Sequence, residues 1–280
     1  MPRITVYPNG GHAGVAPSMN THKRAKRDVV GGWSQSSTRG NVRFLKSVRS
    51  DRLTGVGYTF TLTLRDCPPS SDEWQKIRRA WVERCRRQGM IRMHWVVEWH
   101  SRGVPHLHGA IWFRDESASH AIVELILGGW VQGVAAPYGA KLKGQHWAAV
   151  TDAVGWFQYL SKHAARGVSH YQRNPENIPE GWTKTGRMWG HVGEWPTDDG
   201  TALHMDSAGF VAYRRLVRRW RIADARRELQ RSPESRQSRH RLKSARSMLK
   251  DPVRGRSSVR GVSEWIPQRD NLALVTAVAA

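Results

Sequence analysis

The sequence predicts an α+β protein in which helices flank a central antiparallel sheet. In the stretch "YTFTLTL" (58–64), apolar residues alternate with threonines, which is typical of a half-buried strand. A stretch with helical spacing follows, and then come two strand-like stretches separated only by the short turn "SRGV". The order strand, helix, strand, strand favours an antiparallel sheet, because so short a turn cannot join parallel strands.

The first helix is predicted within "SSDEWQKIRRAWVERCRRQG" (70–89). Ser70 and Glu73 have the spacing of a capping box, which marks a helix start. Apolar residues then recur at helical spacing and form one stripe. Gly89 follows the last of them and is predicted to end the helix.

Five further elements are predicted downstream. They are strands at "IRMHWVVEWH" (91–100), "PHLHGAIWF" (105–113) and "GQHWAAV" (144–150), and helices at "SASHAIVELILGGW" (117–130) and "TDAVGWFQYLSKHAARG" (151–167). Asp152 or Thr151 is expected to cap the last helix, and Gly167 to end it. We therefore predict a folded core domain over residues 52–200.

The segments outside this core are rich in basic residues. Residues 1–51 lack a sustained hydrophobic period, so we expect a mostly flexible basic arm with a short strand at "NVRFLKSV" (41–48). Residues 201–231 predict a basic amphipathic helix that docks by its apolar stripe and can present arginines to phosphates. In residues 232–280, Ser, Arg, Pro and Gly dominate, which predicts a disordered basic tail.

The charge of the chain indicates a polyanionic partner. The 280 residues include 45 Lys or Arg and 23 Asp or Glu, a net charge of +22. This excess favours nucleic acid over an anionic membrane. We expect no membrane partner, because no apolar stretch is long enough to span a bilayer and the N-terminal residues lack the order of a signal peptide. Only Cys67 and Cys85 occur, which excludes a disulfide scaffold and a CxxC zinc site and favours a reducing cytosol.

Two histidines predict a metal site. His106 and His108 lie two positions apart on a predicted strand, so both side chains point to one face. If a hairpin places His100 opposite His106, Glu98 lies opposite His108 on that same face. Imidazole nitrogens with a carboxylate suit Mn²⁺, Mg²⁺ with water ligands, or Zn²⁺. The alternative is a histidine pair that only forms hydrogen bonds.

A nucleophile is available on the helix predicted at 151–167. Tyr159 and Lys162 are three residues apart and so share a helix face. A tyrosine phenol is a weak nucleophile at neutral pH, but a nearby cation favours its ionisation, and a metal on the phosphoryl oxygens makes phosphorus more electrophilic. The alternative for Tyr159 is a packed amphipathic side chain.

Three stretches, "YTFTLTLRD", "PHLHGAIWF" and "WFQYLSKHAARG", resemble in order the three motifs of HUH-superfamily rolling-circle replication initiators, the Rep proteins of bacterial plasmids and filamentous phages. The later "GRMWGHVGEWP" is similar to a Gly-Arg-x-Trp-Gly stretch of such initiators. The resemblance spans residues 58–196. It implies an HUH endonuclease with an RRM-like or ferredoxin-like core, in the cytoplasm of a bacterial host.

The resemblance also implies roles for individual residues. His106 and His108 match the metal-binding histidines, with Leu107 between them. Tyr159 matches the nicking tyrosine and Lys162 its motif lysine. Two residues compete for the third ligand, Glu98 and His100. The implied reaction is attack on a phosphodiester of single-stranded origin DNA, which leaves a 5′-phosphotyrosine and a free 3′-hydroxyl that primes synthesis.

The chain departs from the family pattern at two points. Initiators with two tyrosines carry the second one turn earlier, where this chain has Gly155, so we expect a single catalytic tyrosine. Closing the circle then needs activated water, another subunit or a mobile tyrosine such as Tyr171. No phosphate-binding P-loop motif occurs, which implies a host helicase and a host polymerase as partners.

Three alternatives remain open from the sequence. One is a single-strand transposase or conjugative relaxase of the same superfamily, although relaxases usually place the tyrosine before the histidines. Another is a DNA-binding protein without catalysis. A third is a metal-dependent hydrolase of small phosphate esters, against which the basic arms argue.

Overall fold

The computed structural model describes residues 1–15, 30–114, 124, 126–165, 172–250 and 265–279. The chain forms two compact units. We call them the terminal unit (Met1–Lys23, Arg43–Arg49 and Thr197–Ala280) and the core unit (Arg24–Val42 and Ser50–Pro196).

In chain order, the strands are β1 (Pro2–Tyr7), β2 (Gly10–Val15), β3 (Val56–Leu62), β4 (Met90–Trp99), β5 (Pro105–Phe113), β6 (His146–Ala149), β7 (Trp189–Gly193) and β8 (Thr201–His204). The helices are α1 (Gln35–Ser47), α2 (Ser71–Arg87), α3 (Ala153–Ala165), α4 (Ser207–Arg231), α5 (Arg236–Lys250) and α6 (Gln268–Ala279). The predicted α+β class, with a central antiparallel sheet and flanking helices, is confirmed.

The core unit is built on a five-stranded antiparallel sheet with the strand order β6-β3-β5-β4-β7. β5 lies at its centre between β3 and β4, and all nine residues of β5 are buried. This explains why its sequence is almost continuously apolar: both faces of the strand are covered by other elements. The strand therefore offers a rigid base for any polar side chain that it carries.

Helix α2 covers one face of this sheet. The ring of Trp81 on α2 packs edge-on against Phe60 of β3, with 5.0 Å between centroids. The helix begins as predicted, because the Ser70 side chain accepts a hydrogen bond from the Glu73 amide at 3.2 Å. The chain leaves the helix through Gly89, whose φ of 86° is a left-handed conformation that glycine adopts at little cost.

Helix α3 and the segment that follows β7 cover the opposite face of the sheet. Phe157 of α3 lies 6.5 Å from the ring of Trp195, and Trp195 packs on Trp112 of β5 at 5.2 Å. Trp112 points to the same face of β5 as His106 and His108, because side chains alternate along a strand. Helix α3 is therefore on the histidine side of the sheet.

The terminal unit has its own three-stranded antiparallel sheet, in the order β2-β1-β8. Its apolar core joins β1 to α4 and α6 and consists of Ile4, Val6, Met205, Phe210, Tyr213, Val217 and Val275. Asp206 caps α4 by accepting a hydrogen bond from the Gly209 amide at 2.7 Å. Helix α5 packs on α4 through a second, smaller apolar cluster.

The structure differs from the predicted basic arm and tail. Residues 1–51 were expected to be mostly flexible with a strand at 41–48, but they include β1, β2 and α1, and the stretch 41–47 is helical. The tail predicted as disordered over 232–280 contains α5 and α6. Both differences have one cause. The local sequence of these elements predicts little regular structure, and each element is stabilised by packing on a distant part of the chain.

Some predicted elements lie partly outside the described residues. Of the helix predicted at 117–130, only 124 and 126–130 are described; residues 126–128 are helical, and Gly129–Val134 form a π-helical turn. Gly167, the predicted end of α3, is not among the described residues. None of the helices in the described ranges combines the length and hydrophobicity that spanning a lipid bilayer requires.

Candidate metal centre and active site

Three buried side chains on β4 and β5 form a compact cluster. Glu98, His106 and His108 each offer one ligand atom, and these three atoms all lie within 4.8 Å of one another. The Oε2 atom of Glu98 is 3.8 Å from Nε2 of His108, and the rings of His106 and His108 are 4.5 Å apart. Two imidazoles and a carboxylate at this spacing can hold one divalent cation.

The β4–β5 register differs by two residues from the predicted one. His106 lies opposite Glu98, and His108 lies opposite Val96, whereas the sequence placed His100 opposite His106. The turn sets this register: the His100 amide donates to the Val104 carbonyl at 2.8 Å, and Gly103 has a φ of 71°. A shift of two residues keeps every side chain on its predicted face, so Glu98 still joins the histidines.

His100 therefore lies outside the cluster. It is in the hairpin turn, where its ring is 6.1 Å from that of His106 and its Nδ1 is 3.2 Å from the Ser101 hydroxyl. Together with Arg102 and Asn177 it lines a cavity of about 570 Å³. Of the two residues that competed for the third ligand, the geometry favours Glu98.

A hydrogen bond from the neighbouring strand orients His108. The hydroxyl of Thr61 on β3 lies 2.8 Å from Nδ1 of His108, its partner in the strand register. This bond fixes the ring so that the other nitrogen, Nε2, is the one near Glu98. Histidines that ligate metals commonly hold their second nitrogen in this way.

A buried arginine orients Glu98. Arg173 donates from Nε and Nη2 to the same oxygen, Oε1, at 3.0 and 2.9 Å. Its guanidinium also lies over the ring of Trp33, 4.0 Å from the centroid. Because both donors contact Oε1, the other oxygen, Oε2, is the one directed at His108. The positive charge also compensates a carboxylate that has no solvent exposure.

Gly109, next to His108, allows β5 to pack tightly. A Cβ at this position would lie 2.2 Å from the backbone oxygen of His94 and 2.4 Å from Cζ of Phe60. Neither distance is sterically possible, so any side chain would push apart the strands that carry the cluster.

Tyr159 lies on α3, on the histidine side of the sheet. It is 38% exposed, and its ring stacks on Trp156 with 4.9 Å between centroids and an interplanar angle of 21°. Asp152 caps this helix, as predicted, by accepting a hydrogen bond from the Gly155 amide at 2.9 Å. Lys162 follows one turn after Tyr159 on α3, and its side chain lies outside the described part of the chain, as does Tyr171.

A second buried histidine lies further along β4 on the same face. Burial lowers the pKa of His94 to about 3, and the nearby His191 acts in the same direction. Its Nε2 is 2.7 Å from Oδ1 of Asn41, on α1. His94 is therefore a neutral, hydrogen-bonded core residue that links α1 to the sheet.

Comparison with known proteins identifies the family. Residues 57–171 match the family model for the replication-associated protein ORF2/G2P. The chain is 51% identical, over all of its own length and 97% of the relative's, to a protein of Xylella fastidiosa (strain 9a5c) whose name assigns it to replication. The chain belongs to the ORF2/G2P family of replication-associated proteins.

Two further relatives of this ORF2/G2P-family protein have similar coverage. One, from Xylella fastidiosa (strain Temecula1), also carries a replication protein's name and is 50% identical over 95% of this chain and 99% of its own. The other is the replication-associated protein G2P of Pseudomonas phage Pf3, 49% identical over 90% of this chain and 87% of its own. No solved structure matches the chain.

Sequence reasoning missed two residues that orient the site of this ORF2/G2P-family protein. The alternating pattern of β3 indicates only that Thr61 is a strand residue, and its register with His108 follows once β3 and β5 are paired. Arg173 carries no local signal at all. Arg173 lies in the segment that follows α3. The amide of Trp99, at the end of β4, donates a hydrogen bond to the carbonyl of the preceding residue, Gln172, at 2.9 Å and holds this segment on β4.

Proposed function

We propose that this ORF2/G2P-family protein initiates rolling-circle replication by nicking single-stranded origin DNA with Tyr159. One observation carries the proposal: the Glu98, His106 and His108 cluster and the helix that bears Tyr159 are on the same side of one rigid sheet. Membership of the ORF2/G2P family supports a role in replication rather than in transposition or conjugation.

The donor set fits a divalent metal. Glu98, His106 and His108 supply one oxygen and two nitrogens from rigid strands, and Thr61 and Arg173 fix two of the three side chains. Mixed nitrogen and oxygen ligands suit Mn²⁺, or Mg²⁺ that keeps several waters. The bound cation supplies Lewis-acid polarisation of the phosphoryl oxygens.

The chain's own residues supply the nucleophile and its activation. The phenolic oxygen of Tyr159 loses its proton, attacks phosphorus in line and forms the new phosphoester bond. The bond from phosphorus to the 3′-oxygen breaks, and that oxygen takes up a proton to become the 3′-hydroxyl. Lys162, one turn later on α3, is the second residue of this helix that we assign to the reaction. The products are a 5′-phosphotyrosine and a primer end.

A single nucleophilic tyrosine agrees with the geometry at Gly155. A Cβ there would lie 2.3 Å from Oδ2 of Asp152, the residue that caps α3. A second tyrosine at this position would therefore displace the cap. The released 3′-hydroxyl then serves a host polymerase, and a host helicase separates the strands.

The proposed function is tested by metal-dependent cleavage of a labelled single-stranded oligonucleotide that covers the replication origin. The wild-type protein with Mn²⁺ should cleave at one position, and the double variant His106→Ala, His108→Ala should lose cleavage. Binding of the same oligonucleotide should persist in the double variant and weaken with salt, because basic side chains contact the phosphates. Cleavage that survives in the double variant would refute the proposed metal site.

A further inference from the structure

The C-terminal helices α4 and α5 carry a large share of the charge of the chain. Residues 207–250 contain fourteen Arg or Lys and three Asp or Glu. Two of the three acids already have basic partners inside this helical pair: Asp224 accepts a hydrogen bond from Arg227 at 2.9 Å, and Glu228 pairs with Arg241. These acids therefore do not neutralise the basic residues on the outer surface of α5.

The basic residues of α5 follow a helical pattern. Arg236, Arg239, Lys243 and Arg246 are exposed and recur at intervals of three, four and three residues. This spacing places them on one side of an α-helix, as a stripe about 15 Å long. We call these four residues the α5 stripe.

The other side of α5 holds the helix in place. Leu242 and Ala245 pack on Ile222 and Ala225 of α4, and Ser238 is also buried. The N-terminal end is fixed by the side chain of Ser235, which accepts a hydrogen bond from the Ser238 amide at 3.2 Å. The α5 stripe is therefore an ordered array of charges rather than part of a disordered tail.

We propose that the α5 stripe binds the sugar-phosphate backbone of double-stranded DNA, as a second DNA surface that belongs to a different unit from the proposed nicking site. The site of Glu98, His106, His108 and Tyr159 belongs to the core unit, whereas α5 belongs to the terminal unit. Duplex DNA presents a dense, regular row of phosphates that suits a line of cations on one side of an ordered helix. This inference goes beyond the nicking reaction and does not depend on it.

The residue types on α5 favour a duplex over a single strand. Surfaces for single strands combine basic residues with exposed aromatic rings on which bases stack. Helix α5 contains no Phe, Tyr or Trp. On α4, Phe210 and Tyr213 are buried in the apolar core, and Trp220, two residues before the contact with α5 at Ile222, is half-buried. The α5 stripe can therefore contact phosphates, but α5 has no aromatic ring on which a base can stack.

The experiment measures binding of the full-length protein to a short labelled duplex of arbitrary sequence and to one of its single strands. Fluorescence anisotropy is recorded over a series of NaCl concentrations in EDTA, so that no nicking occurs and failure of the nicking proposal does not affect the result. The test variant replaces Arg239, Lys243 and Arg246 by alanine, which preserves helix propensity. Circular dichroism checks that both variants keep the helix content of the wild type.

The matched control replaces three exposed arginines on α2 of the core unit, Arg79, Arg86 and Arg87, by alanine. It has the same loss of charge. The α5 variant should bind the duplex at least about tenfold more weakly, and the slope of log K against log salt should fall by about 2.7, since each phosphate contact contributes about 0.9. The control should change that slope by less than about 1.

Three results would overturn the inference. One is an equal loss of duplex binding in the α5 and α2 variants, which would indicate a general charge effect. Another is a loss of single-strand binding as large as the loss of duplex binding, which would assign the stripe to single strands. The third is unchanged duplex binding together with lost binding to phosphatidylserine vesicles, which would assign it to an anionic membrane.

Discussion

Arg173 donates two hydrogen bonds to a single oxygen of Glu98, at 3.0 and 2.9 Å, and both residues are almost completely buried. The second oxygen of Glu98 is directed at His108. The buried guanidinium of Arg173 thus determines which oxygen of the Glu98 carboxylate is directed at His108.

Replacing Arg173 by methionine should destabilise the fold by about 3–5 kcal/mol, because the Glu98 carboxylate is left buried without its partner. Saturating Mn²⁺ should recover part of this loss, since the ion supplies positive charge at the same carboxylate. Urea unfolding with and without Mn²⁺ measures both effects. Arg79→Met, on the exposed side of α2, is the control. A loss in Arg173→Met no larger than in the control would contradict the role of the ion pair.

Thr61→Val should weaken Mn²⁺ binding by about 10–100-fold, because the hydroxyl that orients His108 is lost while the shape of the side chain is kept. Thr59→Val is a matched control on the same strand and face, where the hydroxyl contacts only the Ala148 carbonyl at 3.3 Å among the bonds described. Electron paramagnetic resonance of free Mn²⁺ measures both affinities. Equal affinities in the two variants would show that Thr61 does not position His108.

The choice between Glu98 and His100 as third ligand can be measured directly. His106→Ala and Glu98→Gln should each weaken Mn²⁺ binding by about 100-fold or more. Removing a ligand should cost at least as much affinity as removing a residue that only orients a ligand. His100→Ala should leave the affinity within a small factor, since His100 lines the neighbouring cavity. Isothermal titration with Mn²⁺ gives each dissociation constant. A larger loss in His100→Ala than in Glu98→Gln would reverse the assignment.

The stability of the protein should fall in mild acid partly because of His94. In the unfolded chain this histidine takes up a proton near pH 6.5, but in the folded chain burial lowers its pKa to about 3. The folded state is therefore penalised as the pH falls between these values, by up to about 1.4 kcal/mol per pH unit.

His94→Gln should reduce this dependence of the unfolding free energy on pH, because glutamine does not titrate. His146→Gln, at an exposed position of β6, is the control and should keep the wild-type dependence. Urea unfolding at several pH values between 4.5 and 6.5 measures the slopes. Identical slopes in wild type and His94→Gln would mean that His94 is accessible to protons in the folded state.

The sheet and the face of the site could be predicted because they follow from local rules. Alternation in β3, the capping box at Ser70 and the spacing of His106 and His108 each reflect a fixed backbone geometry. The register of the hairpin could not be predicted, because it depends on the length of the turn, which begins at His100 and closes at Val104. Each side chain is nevertheless on its predicted face of the sheet, because the observed register differs from the predicted one by an even number of residues.

The elements that the sequence missed all depend on distant partners. Helix α1 contains serines, a threonine and Gly40, and its Asn41 bonds to His94 on β4. Helix α5 is mostly polar, and its short apolar side stabilises the helix only when it packs on α4. Arg173 becomes interpretable only when the segment after α3 is seen on β4. Tertiary packing overrides weak local preference in each case.

The nicking role of Tyr159 is tested most directly by identifying the residue that becomes covalently attached to DNA. The protein is incubated with Mn²⁺ and labelled single-stranded oligonucleotides that tile the origin region, and the adduct is digested and sequenced by mass spectrometry. We expect an adduct on Tyr159 in the wild type and in the control Tyr138→Phe, and none in Tyr159→Phe. An adduct that persists in Tyr159→Phe, or no adduct with any origin strand, would contradict the role of Tyr159 as the nicking residue.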